Sequence, residues 1–256
     1  MAFYDLPKDE RIALTEAIKG DLRLELQRRA QGKWLAYAGD EDTYIRKAAY
    51  LALGKLYADD VALLEYIIGL LQRHATSGDF RVRQTVINAA GEIGKYNFAA
   101  VQHFFDQGLS DKHHSPRNAV IGSVKKMGEV NPGPVLEWAR GYLHHPDKEI
   151  RREICHGIEL RGRKHPQDIL PMLATLQFDA TARVRNTLVH VIGQIAYKKG
   201  CLETVTAHLS TWENKALVED AVAEIIDVHD RYRNFSFYTQ DEAKAYLEQH
   251  WSELMS

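Results

Sequence analysis

The chain has 256 residues, 33 Lys and Arg against 35 Asp and Glu, a formal charge of −2 and a pI near 6.6, a balance that excludes global attraction to nucleic acid or anionic lipid. With 45% hydrophobic residues, 27% charged residues and seven prolines, long disordered segments are excluded as well. No apolar run nears the roughly 20 residues that span a bilayer, and residues 1–19 mix acids, bases and apolar side chains unlike a secretory signal, so a cytoplasmic protein without a membrane partner is expected.

In chain order, residues 1–33 read as an N-terminal capping helix, with Pro7 suited to a helix start. From about residue 34 to 233 the chain repeats. Arg46, Arg83, Arg117, Arg151 and Arg185 stand 37, 34, 34 and 34 residues apart. One position before each lies Ile45, Val82, Pro116, Ile150 or Val184. Three positions after come Ala49, Val86, Val120, Ile154 and Leu188; seven after come Leu53, Ala90, Val124, Ile158 and Ile192. Such spacing keeps the apolar side chains on one face of a helix and cannot alternate as in a strand. One further period lands on Glu219, where Val218, Val222 and Ile226 keep the columns and an acid replaces the base.

Each arginine therefore belongs to the second helix of a pair. Asp42, Asp79, Asp147 and Thr181, four residues before the arginine, suit N-caps. In the third copy, Ser115 followed by Pro116 predicts a later start, with proline at the first helical position. First helices are predicted at 61–73, 99–107, 134–143, 167–176 and 202–210, and Gly94, 128–134, 162–166 and Gly200 separate the pairs. A 34-residue pair cannot bury its own apolar face, so pairs must stack. The expected architecture is one all-α domain over 1–256, a right-handed α-solenoid of about six helix pairs, closed by a C-terminal helix at about 235–254.

The segments DEDTYIRKAAYLALGKL and GDFRVRQTVINAAGEIG resemble HEAT-like repeats, above all the short class first noticed in phycobilin lyases, and the resemblance covers about 40–230. It implies that the turn aspartate and the following arginine are structural, forming a ladder of charge-assisted hydrogen bonds between repeats. A second stretch, 146–200, resembles the HEAT-like proteins of DNA alkylation repair, which hold damaged duplex DNA in a basic concave cleft. That group relies on a tryptophan pair and an aspartate in the cleft. Here Trp34, Trp138, Trp212 and Trp251 are scattered, and Trp138 lies on a first helix facing away from the expected cleft.

On a solenoid of this kind the second helices line the concave face, and the positions one, five and nine after each arginine are left free by the core. The ligand-binding stripe is therefore read as Lys47, Gln84, Asn88, Asn118, Lys126, Arg152, His156, Asn186, His190 and Gln194, with Arg163 from a basic cluster of Arg161, Arg163 and Lys164. Amides and bases donate equally to phosphate oxygens and main-chain carbonyls, while solvated helix faces are polar in any case.

Neither metal nor cofactor is expected. The pairs His113–His114 and His144–His145 precede adjacent second helices, but neighbouring turns lie about one helix diameter, ~10 Å, apart, too far for nitrogens that must sit about 2.0–2.1 Å from one ion. Cys155 and Cys201 read as buried small side chains. The run Asp227, His229, Asp230, Tyr232, Arg233 could hold a general acid-base pair, yet no nucleophile or phosphate loop accompanies it. The resulting expectation is a non-catalytic binding or scaffold protein that holds a protein or peptide. The rival is a duplex-DNA-binding protein of the alkylation-repair type, lesion sensor or glycosylase, and a bilin-lyase-like chaperone comes third.

Overall fold

A computed structural model of the protein describes residues 3–29 and 32–256; residues 1–2 and 30–31 of the expected N-terminal cap lie outside them. Every regular element among the described residues is helical, and none is long and apolar enough to cross a membrane. The architecture is an all-α solenoid of helix-pair repeats, in two compact units, Met1–Asn131 and Pro132–Ser256.

In the first unit, α1 (Lys8–Arg28) is followed by the pairs α2 (Lys33–Ala38) and α3 (Thr43–Asp59), α4 (Leu64–His74) and α5 (Phe80–Gly94), and α6 (Phe98–Leu109) and α7 (His114–Val130). The six-residue α2 was not predicted. It is too short to persist by itself, and the buried Glu25 of α1 holds its start, accepting from the backbone N–H of Gly32 at 3.0 Å and of Trp34 at 2.7 Å. The second unit comprises α8 (Pro132–Tyr142) with α9 (Lys148–Gly157) and α10 (Glu159–Gly162), then α11 (Pro166–Ala174) with α12 (Ala182–Ala196), α13 (Leu202–Leu209) with α14 (Lys215–Arg231), and the closing α15 (Gln240–Gln249) and α16 (Trp251–Met255).

Second helices pack side by side, α3 on α5 and α5 on α7 in the first unit, α9 on α12 and α12 on α14 in the second. Their interfaces are the predicted apolar columns. All positions three and seven after the arginines are buried, as are Leu56, Ile93, Met127 and Ile195 ten after; Ile45 alone of the five residues preceding the arginines is half-exposed. Full burial of one such side chain contributes about 1.5–3 kcal/mol. The interface therefore gains most from the columns that repeat most faithfully.

Asp42, Asp79 and Asp147 cap as expected, accepting from the N–H of Tyr44, Arg81 and Glu149 at 2.7–2.8 Å. Thr181 occupies the cap position without a side-chain capping bond. The later start predicted at Ser115 is not observed. His113 is the N-cap of α7, its Nδ1 accepting from the N–H of Ser115 at 3.1 Å, because an unprotonated imidazole nitrogen can replace a carboxylate oxygen there. The third helix thus begins in the same column as the others.

The arginine column does two jobs. In every copy Nη1 donates to the carbonyl six residues earlier: Asp40, Ser77, Asp111 and His145 at 2.5–2.7 Å, and Asp179. The guanidinium thereby ties the turn between the two helices of its own pair. In two copies it also reaches the next pair's turn. Arg83 binds Asp111 through Nε at 2.7 Å and Nη2 at 2.9 Å, and Arg151 binds Asp179 at 2.6 and 3.1 Å. The carboxylates of this ladder are six residues before the following arginine, not the capping aspartates that the family resemblance implied. Where that position is Ser77, after Arg46, there is no carboxylate to receive the fork.

Candidate functional site on the second helices

In the first unit, the stripe residues Lys47, Asn118 and Lys126 are exposed and Gln84 and Asn88 are half-buried. Lys126 lies 3.9 Å from the Glu92 carboxylate, which also pairs with Lys95, and 5.8 Å from the Tyr50 ring.

The second unit brings more chemistry together. Arg152 pairs with Glu149 at 2.9 Å and lies 3.5 Å from Glu153; Glu149 also receives Arg183 at 3.1 Å. Arg163 donates to Glu159 Oε1 and, at 2.7 Å, to Gln194 Oε1. Gln194 is thus a buried support for Arg163, its Oε1 already engaged, and not an open amide on the stripe. His156 Nε2 is 3.2 Å from Glu159 Oε2, and His190 Nδ1 is 3.6 Å from Glu224 Oε1. The two imidazoles meet edge to face with centroids 6.0 Å apart. One donor atom from each of His156, Glu159 and His190 lies within 4.8 Å of the other two. An open groove of about 580 Å³ between α12 and α14 adjoins this cluster, lined by Asn186, His190, Asp220, Glu224, Asp227 and Arg231 among others. Asp227 and Glu224 hold the Arg231 guanidinium charged, its pKa raised first by the Asp227 hydrogen bond.

Sequence reasoning placed His156 and His190 in one column but passed over Glu153 and Glu159, both buried carboxylates at 2% exposure. A signal existed. Eight residues after the arginine stand Gly54, Gly91, Lys125, Glu159 and Gly193, and an acid in a column of glycines at helix contacts is a local conflict of the sort found at functional sites.

Other sequence candidates disperse. His229 is fully buried, with Nδ1 2.7 Å from the Ile225 carbonyl and its pKa lowered by burial; Asp227 turns to Arg231 and Asp230 to Arg233, so no acid-base pair forms there. His113 and His145 each spend Nδ1 on a backbone N–H of their own turn. Arg161 is tied to Asp168 at 2.6 Å. Trp34, Trp138 and Trp212 are buried, and Trp251 lies on the closing α16, so no tryptophan stands on a second helix.

No family model matches the chain, and no curated protein matches it. Solved structures do. AlkD2 from Streptococcus mutans is 16% identical, with a TM-score of 0.55 over 81% of this chain and 97% of that one. The smu.31 protein of Streptococcus mutans UA159 is 17% identical, with a TM-score of 0.49 over 81% and 97%. The CpcE–CpcF complex of phycocyanin lyase from Nostoc sp. PCC7120 is 17% identical, with a TM-score of 0.35 over 77% and 76%. At 16% identity the likeness to AlkD2 concerns the fold alone, and with the arginine-anchored helix pairs the chain has the fold of a HEAT-like repeat solenoid.

Proposed function

We propose that the protein is a non-catalytic binding module that holds a polypeptide segment against the polar face of its second helices. The observation that carries this reading is the state of the cations on and beside the stripe. Arg152, Arg163, Arg183 and Arg231 each lie against carboxylates of the same or a neighbouring helix, and Lys126 approaches Glu92. A surface neutralised in this way has little charge left for a phosphate backbone, whose affinity depends on released counterions. Asn88, Asn118 and Asn186 offer amides that can donate to and accept from an extended main chain. The acidic groove residues Asp220, Glu224 and Asp227 favour a partner with basic side chains at that end.

The test is a photo-reactive residue placed at Asn118 or Asn186 of the full chain in its native cells, with Lys112 on an exposed turn as control. Polypeptide adducts from the two stripe positions, and none from Lys112, would support the reading. Adducts to nucleic acid instead would reject it. The second reading, duplex DNA, draws on the fold likeness to AlkD2 and on the exposed Lys47 and Lys126. It requires binding that falls steeply with salt and weakens in Lys126→Glu and Arg152→Glu; release of an alkylated base would add catalysis to it.

A further inference from the structure

In the first, second and fifth copies, the column eight residues after the arginine holds glycine, because the next helix runs against it. A Cβ on Gly54 would meet Glu92 Cβ at 2.6 Å, on Gly91 Ser123 Oγ at 2.5 Å, and on Gly193 Glu224 Cγ at 2.7 Å. The fourth copy places Glu159 in that column. There α9 ends at Gly157 and α10 begins at Glu159, with Ile158 between them at φ −86° and ψ −6°. The break seats a carboxylate at 2% exposure between His156, Arg163 and the helix carrying His190.

A carboxylate is buried only with partners, and a bland ion pair would need Arg163 alone. Here Arg163 takes Oε1, while Oε2 is turned to His156 at 3.2 Å, with His190 on the far side of the same space. We propose that His156, Glu159 and His190 form a binding site for one divalent transition-metal cation of the zinc type. Two imidazoles and one carboxylate are a donor set that such ions take with an open fourth position. Tetrahedral bonds of about 2.0–2.2 Å place donors roughly 3.3 Å apart. The present limit of 4.8 Å closes to that by rotation of the two half-exposed histidines, whereas Glu159 is fixed.

The surroundings fit. Arg163, itself held by Gln194, orients the carboxylate through its other oxygen, and Glu224, 3.6 Å from His190 Nδ1, is placed to orient that ring, the arrangement that tunes metal ligands elsewhere. Gln194, 3% exposed, has its Nε2 donor without a hydrogen-bond partner, available to an oxygen that completes the ion's shell. The site goes beyond the peptide-binding reading and stands whether or not that reading holds.

The experiment titrates the full-length protein with Zn²⁺ against a chromophoric chelator and repeats it with Co²⁺, whose visible absorption reports a four- or five-coordinate site. One ion per chain is expected. The double variant His156→Ala/His190→Ala should lose at least about 100-fold in affinity, beyond the usual cost of an outer-shell change, while His113→Ala/His114→Ala should keep it. His190→Ala alone, at a half-exposed position, serves as the folded variant if the double one loses its helical signal. Absence of a one-to-one complex, or wild-type affinity in a folded His190→Ala protein, would overturn the proposal.

Discussion

Asp111→Ala tests whether the arginine column holds successive repeats together. The Asp111 carboxylate receives Arg83 Nε at 2.7 Å, Arg83 Nη2 at 2.9 Å and the His113 N–H at 2.8 Å, and the two side chains are only 8% and 10% exposed. Burial pulls the Asp111 pKa upward, but the hydrogen bonds from Arg83 and His113 outweigh it and leave the carboxyl below its ordinary value. Truncation would strand a buried guanidinium with two donors unmet. Each unmet donor costs about 1–3 kcal/mol, and breaking a buried pair from one side costs about 3–5 kcal/mol, so about 3–4 kcal/mol is expected. Arg46 provides the comparison. It makes the same bond to its own turn, to the Asp40 carbonyl at 2.5 Å, but the next turn offers Ser77 instead of a carboxylate, so Arg46→Ala should cost about 1–2 kcal/mol. Urea unfolding followed by circular dichroism measures both. A loss below about 1 kcal/mol for Asp111→Ala, or one equal to that of Arg46→Ala, would refute the view that the fork between repeats carries the difference.

Gly91→Ala should destabilise by about 1–3 kcal/mol through overpacking against Ser123, whereas Gly122→Ala, with nothing within 4 Å of the new methyl, should stabilise α7 by about 0.5–1 kcal/mol; matched melting curves decide, and equal signs would contradict the packing described. Burial lowers the pKa of His208 and of His229. At a pH below about 6.5 the unfolded chain therefore binds their protons first, and stability should fall with pH by up to about 1.4 kcal/mol per unit for each histidine. Urea midpoints at pH 7.5 and 5.5 test this, and His229→Gln should flatten the slope. Trp212 fluorescence of the native protein should change at lower pH, where the buried His208 finally protonates, because its indole donates to His208 Nδ1 at 2.8 Å and a protonated ring cannot accept. Burial pushes both cysteine thiols up, so the native protein should resist a thiol reagent that reacts fully in denaturant; rapid native labelling would show that the cores around Cys155 and Cys201 open.

Much of this was legible beforehand because repetition multiplies a weak signal. A single Ile-Arg pair means little, but five copies with apolar residues three, seven and ten positions on leave few alternatives to stacked helices. Caps were readable where an aspartate stood in the column. His113 was missed because histidine is an uncommon cap, and Ser115–Pro116 offered a more familiar one. The six-residue α2 escaped because its stability comes from Glu25 of another helix and not from its own periodicity.

The stripe illustrates the converse. Spacing placed the two histidines that meet on neighbouring second helices, but could not tell Arg152 and Arg163 as free cations from the same residues already paired. Ion pairing depends on side chains from neighbouring helices, up to 34 residues apart in the case of Arg183 and Glu149, and periodicity says nothing about their reach. Local chemistry written in the chain, namely apolar period, cap residue and turn glycine, sufficed to specify stacked helix pairs. The break at Ile158, the burial of Glu159 and the meeting of His156 with His190 were decided only when helices packed, because an acid in a glycine column becomes consequential once a neighbour occupies the space beside it.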